Sequence, residues 1–495
     1  MLWERIFLAA ITLVVMNAVR CSFAQEPVPV LVERASSGNV EALLKLAQAY
    51  ELGHGVPQDI GKAAQWYRRA ADYGNPLAQA KLGDFYHHGT GVQKDENECF
   101  RWVQRSASAG YPLGEAMLGL VYMHGWGVAA SPPEGVRWLR AAANQGQLDA
   151  MAEIGYAYMV GKGVARDYGE ALRWSTKAAK KRNPIAQFNL AVMNELGAGT
   201  PRNAEVAANW YRKAAQQGNA DAQFRLGRLL ATTLAGSITE AIEWLKKAAA
   251  QQQRDAEFGL GLVYSRGQGV PEDLAIAFRW YQRAAEHGSA AGQLNLGYAY
   301  EHGKGVAENP TEAIKWYLLA AQQGLPEAAW NIAVDYDQGH GVTQDYEKAR
   351  FWYAKAAAGG NGAAENSLGR MCYQGLGNPS DRHEALAHFE HAAELGNGLG
   401  AKNAARVLDD GASSASEHVQ ALTWYSIAQE MGGDVTSELA KVRQEVAPTD
   451  VIIARQLSSQ WLASHRTKQE AEPAAFQPGD IAGEVVATTT LGLDH

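Results

Sequence analysis

Large apolar residues recur along the chain on a lattice 36 residues long. Trp66, Trp102, Trp138, Trp174 and Trp210 stand 36 apart, Trp244 follows after 34, and Trp280, Trp316 and Trp352 resume at 36. His388, beside Phe389, and Trp424 continue the register. A globular core has no use for that regularity, whereas a stack of identical units requires it. Each unit carries two helical patterns. The first places Ala78, Leu82, Gly83 and Tyr86 on one stripe, repeated as Ala150, Ile154, Gly155 and Tyr158, so these columns form a core face. It stops at Gly-x-Gly-Val, as in Gly53-His54-Gly55-Val56 and Gly303-Lys304-Gly305-Val306, where glycine supplies the left-handed residue that ends a helix.

The second pattern starts on a cap. Seven residues before the lattice positions stand Asp59, Asp95, Ser131, Asp167, Asn203, Ser237, Asp273, Asn309, Asp345 and Asp381. Each can accept a hydrogen bond from an unpaired helix N–H; Glu417 breaks the column in the last unit. A closing glycine follows in eight units (Gly74, Gly110, Gly146, Gly218, Gly288, Gly324, Gly360, Gly396), with Arg182 and Gln252 as exceptions. The fold these patterns predict is all-α, a right-handed α-solenoid superhelix of about eleven 36-residue helical hairpins over residues 25–433. Residues 28–38 read as a half-unit covering one end. Residues 434–466 read as a C-terminal helical cap, with Leu439, Val442, Ile453, Leu457 and Trp461 apolar, and residues 467–495 as a disordered tail.

The repeated Leu-Gly-x-x-Tyr-x-x-Gly-x-Gly-Val-x-x-Asp, followed by Ala-x-x-Trp-Tyr-x-x-Ala-Ala, resembles the Sel-1-like repeat family, a relative of the tetratricopeptide repeat, across roughly residues 28–433. The resemblance implies protein–protein interaction and the assembly of complexes, often in a bacterial periplasm or at a cell surface. It also raises a rival, a secreted hydrolase acting on β-lactams or cell-wall material, because some members are assigned that activity. A third reading is a regulator sequestering an envelope sensor protein. The cysteine pairs of the family's disulfide-rich secreted members are absent.

Composition narrows the choice. Of 495 residues 47% are hydrophobic and 20% charged, and the net charge of −8 carries no basic excess, which argues against nucleic acid and anionic membrane as partners. Arg5, the apolar run Ile6–Val15 and Ser22-Phe23-Ala24 have the layout of a signal peptide over residues 1–24, cut before Gln25. The expected location is periplasmic or secreted. Contact with a membrane is expected only through partners or through a leader left uncut. Ser-x-x-Lys, Lys-Thr-Gly and Gly-x-Ser-x-Gly do not occur, so no catalytic motif is found and an enzyme is not expected. No cofactor or metal site is expected either. His88, His124 and His302 share one repeat position, but a repeat step of about 10 Å is too long for one zinc ion.

Binding is expected on the concave surface lined by the first helices. Residues two before the leucine include Phe188, Phe224, Phe258 and Trp330, and those two after it include Tyr298. Either these aromatics line an apolar trough for a partner segment, or neighbouring first helices pack on them. Asn189, Asn295 and Asn331 directly precede the leucine position. Their amides either pair with the backbone of a bound peptide, as the resemblance implies, or bridge neighbouring turns.

Overall fold

The computed structural model describes residues 26–232, 238–410, 412 and 414–470. The signal peptide expected over 1–24, the cap expected at Ser237 and residues 471–495 of the expected tail lie outside them. Among the described residues there are 25 helices and no strand. The chain falls into two compact units, residues 1–244 and 245–495, which are described separately.

In the first unit α1 (Val28–Ser36) precedes five hairpins: α2–α3 (Val40–Leu52, Ile60–Asp72), α4–α5 (Pro76–His88, Glu96–Ser108), α6–α7 (Pro112–His124, Pro132–Asn144), α8–α9 (Leu148–Val160, Tyr168–Lys180) and α10–α11 (Pro184–Leu196, Ala204–Gln216). Helix α12 (Ala220–Thr232) follows, and α13 (Ile238–Ala250) carries the division. The second unit continues with α14–α15 (Arg254–Ser265, Leu274–Glu286), α16–α17 (Ala290–Glu301, Pro310–Gln322), α18–α19 (Pro326–Gln338, Tyr346–Ala358), α20–α21 (Gly362–Gln374, Arg382–Glu394) and α22–α23 (Gly398–Asp409, Ala415–Glu430). Helices α24 (Thr436–Glu445) and α25 (Pro448–Glu470) close it. The helix therefore runs to Glu470, four residues past the expected end of the cap at 466. No described helix is long and apolar enough to cross a membrane.

The capping column behaves as its chemistry demands. Asp59 accepts from the Lys62 amide at 2.9 Å and Asp273 from the Ile276 amide at 2.8 Å. Ser131 makes no such bond, and Pro132 opens that helix instead. The break at Glu417 is resolved by Ser414, which starts α23 one turn earlier and forms a reciprocal capping box with Glu417. The first helices have caps of their own that the column did not predict. Asn39, Asn75, Asn183 and Asn219 accept from amides three residues on, at 2.7–2.9 Å. Their signal was the polar residue directly after the closing-glycine position. Arg182 and Gln252, which replace that glycine, adopt φ of 65° and 61°, so the turn imposes a left-handed backbone even on residues that resist it.

Close approach explains two glycine columns. A Cβ on Gly297 would stand 2.5 Å from the Tyr317 ring, and one on Gly305 only 2.1 Å from the Leu274 carbonyl oxygen of the preceding hairpin. The position after the lattice residue points into the hairpin, and in six hairpins it is a tyrosine, of which Tyr67, Tyr211, Tyr317, Tyr353 and Tyr425 are at most 2% exposed. The tryptophans are largely half-buried, with a cation three residues on lying over the ring, as Lys213 over Trp210 at 4.0 Å and Arg283 over Trp280 at 4.7 Å. At the C-terminal end Leu439, Val442 and Ala454 are buried and Trp461 meets Trp424 edge-on at 5.5 Å. Ile453 and Leu457, expected to pack there, are instead 45% and 44% exposed.

Candidate functional site

The aromatic column does not form an open trough. Phe188, Phe224 and Phe258 are 4%, 7% and 1% exposed. Phe188 packs on Tyr211 and Phe258 on Tyr281, at ring distances of 5.6 and 6.0 Å. The physical reason is that a first helix touches its own second helix and the preceding second helix, and in several hairpins a neighbouring first helix as well. Its buried arc is therefore wider than one stripe, and Ala80, Ala116 and Ala152 at the same position are also fully buried. Trp330 and Tyr298 remain half-buried, and Tyr298 stacks on His302 at 4.2 Å. The asparagines are turned inward as well. Asn189 donates to the Ala152 carbonyl at 3.0 Å and Asn295 to Ala291 at 2.9 Å. Asn331 is half-buried beside the Tyr317 hydroxyl. Asn189 thus ties one hairpin to the previous one, while Asn295 closes a bond within its own helix.

What the first-helix face does carry is a column of acids one residue past the tyrosine position, which the sequence patterns had not singled out. The buried tyrosine of the second helix donates to each: Tyr67 to Glu51 and Tyr211 to Glu195, both at 2.5 Å, Tyr317 to Glu301, and Tyr353 to Asp337 at 3.2 Å. Three of these acids meet a cation of the next hairpin. Lys81 lies 2.9 Å from Glu51, Arg225 lies 3.4 Å from Glu195 with Arg228 beside it, and Arg370 pairs with Asp337. Glu301 meets Asp335 instead, whose carboxyl is 1% exposed. Burial, then the charge of Glu301, pushes Asp335 up to about 8.

In the first unit three successive first helices, the second helix α5 and a loop line a small pocket with about 40 Å³ of space for solvent. Helix α4 contributes Asp84, His87 and His88, α6 contributes Leu120 and His124, α8 contributes Glu153, and Trp126 comes from the loop after α6. The Trp126 ring lies 3.9 Å from His87 and 5.0 Å from His124, nearly parallel to the latter. Burial works against charge on His88, but the hydrogen bond and charge of Asp84 outweigh it and leave its pKa raised. Burial, then Asp149, holds Glu153 up at about 7. The structure thus gathers His88 and His124, the two histidines of one repeat position, into a single pocket. The thiols of Cys99 and Cys372 are free and buried, and burial pushes both above the ordinary thiol range, the opposite of an activated nucleophile.

A protective antigen present in uropathogenic Escherichia coli strains, displaying an SLR fold, is 30% identical over 92% of this chain and all of its own, with a TM-score of 0.63. A Sel1 repeat protein from Oxalobacter formigenes is 27% identical over 77% of this chain and 93% of its own, with a TM-score of 0.46. No curated protein matches the chain. The family model for the Sel1 repeat matches residues 40–75, 76–111, 112–147, 148–183, 184–219, 220–252, 254–289, 290–325, 326–361 and 362–397. Each match begins at or next to the start of a first helix and takes in the second helix that follows. With ten matched repeats spanning most of its length, the chain belongs to the Sel1 repeat family.

Proposed function

We propose that this chain is an exported scaffold that holds a partner protein on its first-helix face, with the pocket around Trp126 as an anchor point. The family fold is generally that of a protein–protein interaction scaffold. The observation that carries the reading is the Trp126 pocket, which draws its walls from three consecutive hairpins. A solenoid binds by such summed contributions along its face. The pocket's chemistry suits a lysine or arginine side chain of an extended partner segment. Asp84 supplies negative charge, Glu153, held near 7 by burial, gains its full charge when a cation enters, and Trp126 supplies a flat π face. Export follows from the signal peptide expected over residues 1–24 and agrees with the antigenic character of the Escherichia coli protein.

The test is a cross-linked pull-down from the envelope fraction, read by mass spectrometry, comparing wild type with Trp126→Ala/Glu153→Gln. Specific partners that fall about tenfold or more with the folded variant support the anchor, since one well-placed hot-spot residue carries at least about 1.4 kcal/mol. Equal capture by both sinks it.

A further inference from the structure

The residue three after the first-helix leucine is apolar in ten of the eleven hairpins, as in Ala49, Val121, Met193, Val263, Ala299 and Met371. In the ninth it is Asp335. That side chain is 1% exposed, and neither carboxylate oxygen has a hydrogen-bond partner. An orphaned carboxylate in a slot built for a methyl or isopropyl group is a costly arrangement that a fold does not keep for packing.

Its neighbour Glu301 departs from the repeat in the same place. The other three acids of the column meet a lysine or arginine of the next hairpin, at the positions of Lys81, Arg225, Arg228 and Arg370. The corresponding residues facing Glu301 are Asn331 and Val334. Among the described residues no lysine or arginine pairs with Glu301 or Asp335; the basic groups within 4 Å are His302, 3.7 Å from Glu301 Oε2, and His340. Tyr317 donates to Glu301 Oε2, which leaves Oε1 turned to His340.

The imidazole stands as a third donor. His340 Nδ1 is 3.6 Å from Glu301 Oε1 and 3.5 Å from Asp335 Oδ1. Those separations are too long for hydrogen bonds. They are close to the roughly 3.4 Å edge of a tetrahedron whose centre lies about 2.0–2.1 Å from each corner, as around zinc. The backbone holds the ring there: Gly339 and Gly341 both turn left-handed, and the His340 amide donates to the Asp335 carbonyl at 3.0 Å. We propose that Glu301 Oε1, Asp335 and His340 Nδ1 bind a divalent transition-metal ion, with zinc the best fit. Two carboxylates and one imidazole suit zinc's borderline character. Three protein ligands leave a fourth position for water. The metal supplies the positive charge that the other hairpins obtain from lysine or arginine.

The test uses the full chain, stripped with chelator and titrated with ZnCl₂ by calorimetry and thermal shift. One zinc ion per chain is expected at this site, together with a rise in melting temperature. Asp335→Asn, which keeps the shape and removes a buried charge, and His340→Ala should each weaken that binding by roughly tenfold or more, with circular dichroism showing both folded. His54→Ala, on an exposed loop of the other unit, should leave it unchanged. Co²⁺ in place of zinc should give the strong visible bands of a tetrahedral site in wild type, and these should vanish in both variants. An absence of zinc binding in wild type overturns the proposal, as does binding that survives in Asp335→Asn and His340→Ala.

Discussion

Hairpins five and eight present the same acid to the same tyrosine, Glu195 to Tyr211 and Glu301 to Tyr317, yet they differ in what closes the circuit. Behind Glu195 stand Arg225 and Arg228, so the charge is cancelled inside the protein and the network fastens one hairpin to the next. Behind Glu301 stand Asn331, Val334 and a second carboxylate, so the charge is left for something else to cancel. The repeat fixes where a buried acid sits. The following hairpin decides whether that acid serves as a fastener or as a binding group.

The largest effect should come from undoing the fastener. Arg225→Ala leaves Glu195, with its side chain 7% exposed, short of the more buried of its two cations, and breaking a buried pair from one side costs about 3 kcal/mol. Urea unfolding and hydrogen exchange across α10 and α12 should register that loss; less than about 1 kcal/mol would mean that Arg228 alone suffices. The next effect is pH-dependent and lies in the other hairpin. Asp335 titrates near 8 when folded against about 3.9 when unfolded. Between those values the native state holds a proton that the unfolded state has released. Stability of the metal-free protein therefore falls as pH rises through that window, by up to about 1.4 kcal/mol per unit, and levels off above it. Asp335→Asn should remove the slope, so denaturation at pH 5 and pH 8 in chelator should converge for the variant and diverge for wild type. The smallest effect would convert one hairpin into the other. Asn331→Lys places a cation at the register that Lys81 occupies against Glu51. It should stabilise the metal-free protein by about 1 kcal/mol and abolish the zinc response, and calorimetry on that single variant checks both.

The architecture could be read from the chain because every cue repeats. Tryptophans, caps and loop glycines each recur in at least nine of the eleven hairpins, so Glu417 and Arg182 stand out in the sequence as exceptions. The site was less legible for a physical reason. Reading one stripe as core assumes that a helix has one buried side, but the first helices here are covered by the second helices on either side and in several hairpins by a neighbouring first helix, so of the two alternatives for Phe188, Phe224 and Phe258 the packed one holds and the open trough does not. The same assumption hid Asp335. Read as a column rather than as a stripe, its position is apolar in every other hairpin, and the exception is visible without coordinates. What no column reveals is that Glu301 and His340, 39 residues apart, turn toward that carboxylate.

The second loop glycine carries a different kind of consequence. Gly305 presses against the Leu274 carbonyl, and Gly127 likewise against Glu96, so the contact that spaces one hairpin from the last is made by backbone on backbone. Such a joint does not depend on which side chains either hairpin carries. Gene duplication or loss of a whole unit therefore yields a joint that already fits, and the array can lengthen, shorten or shuffle in evolution while each inner face diverges toward its own ligand.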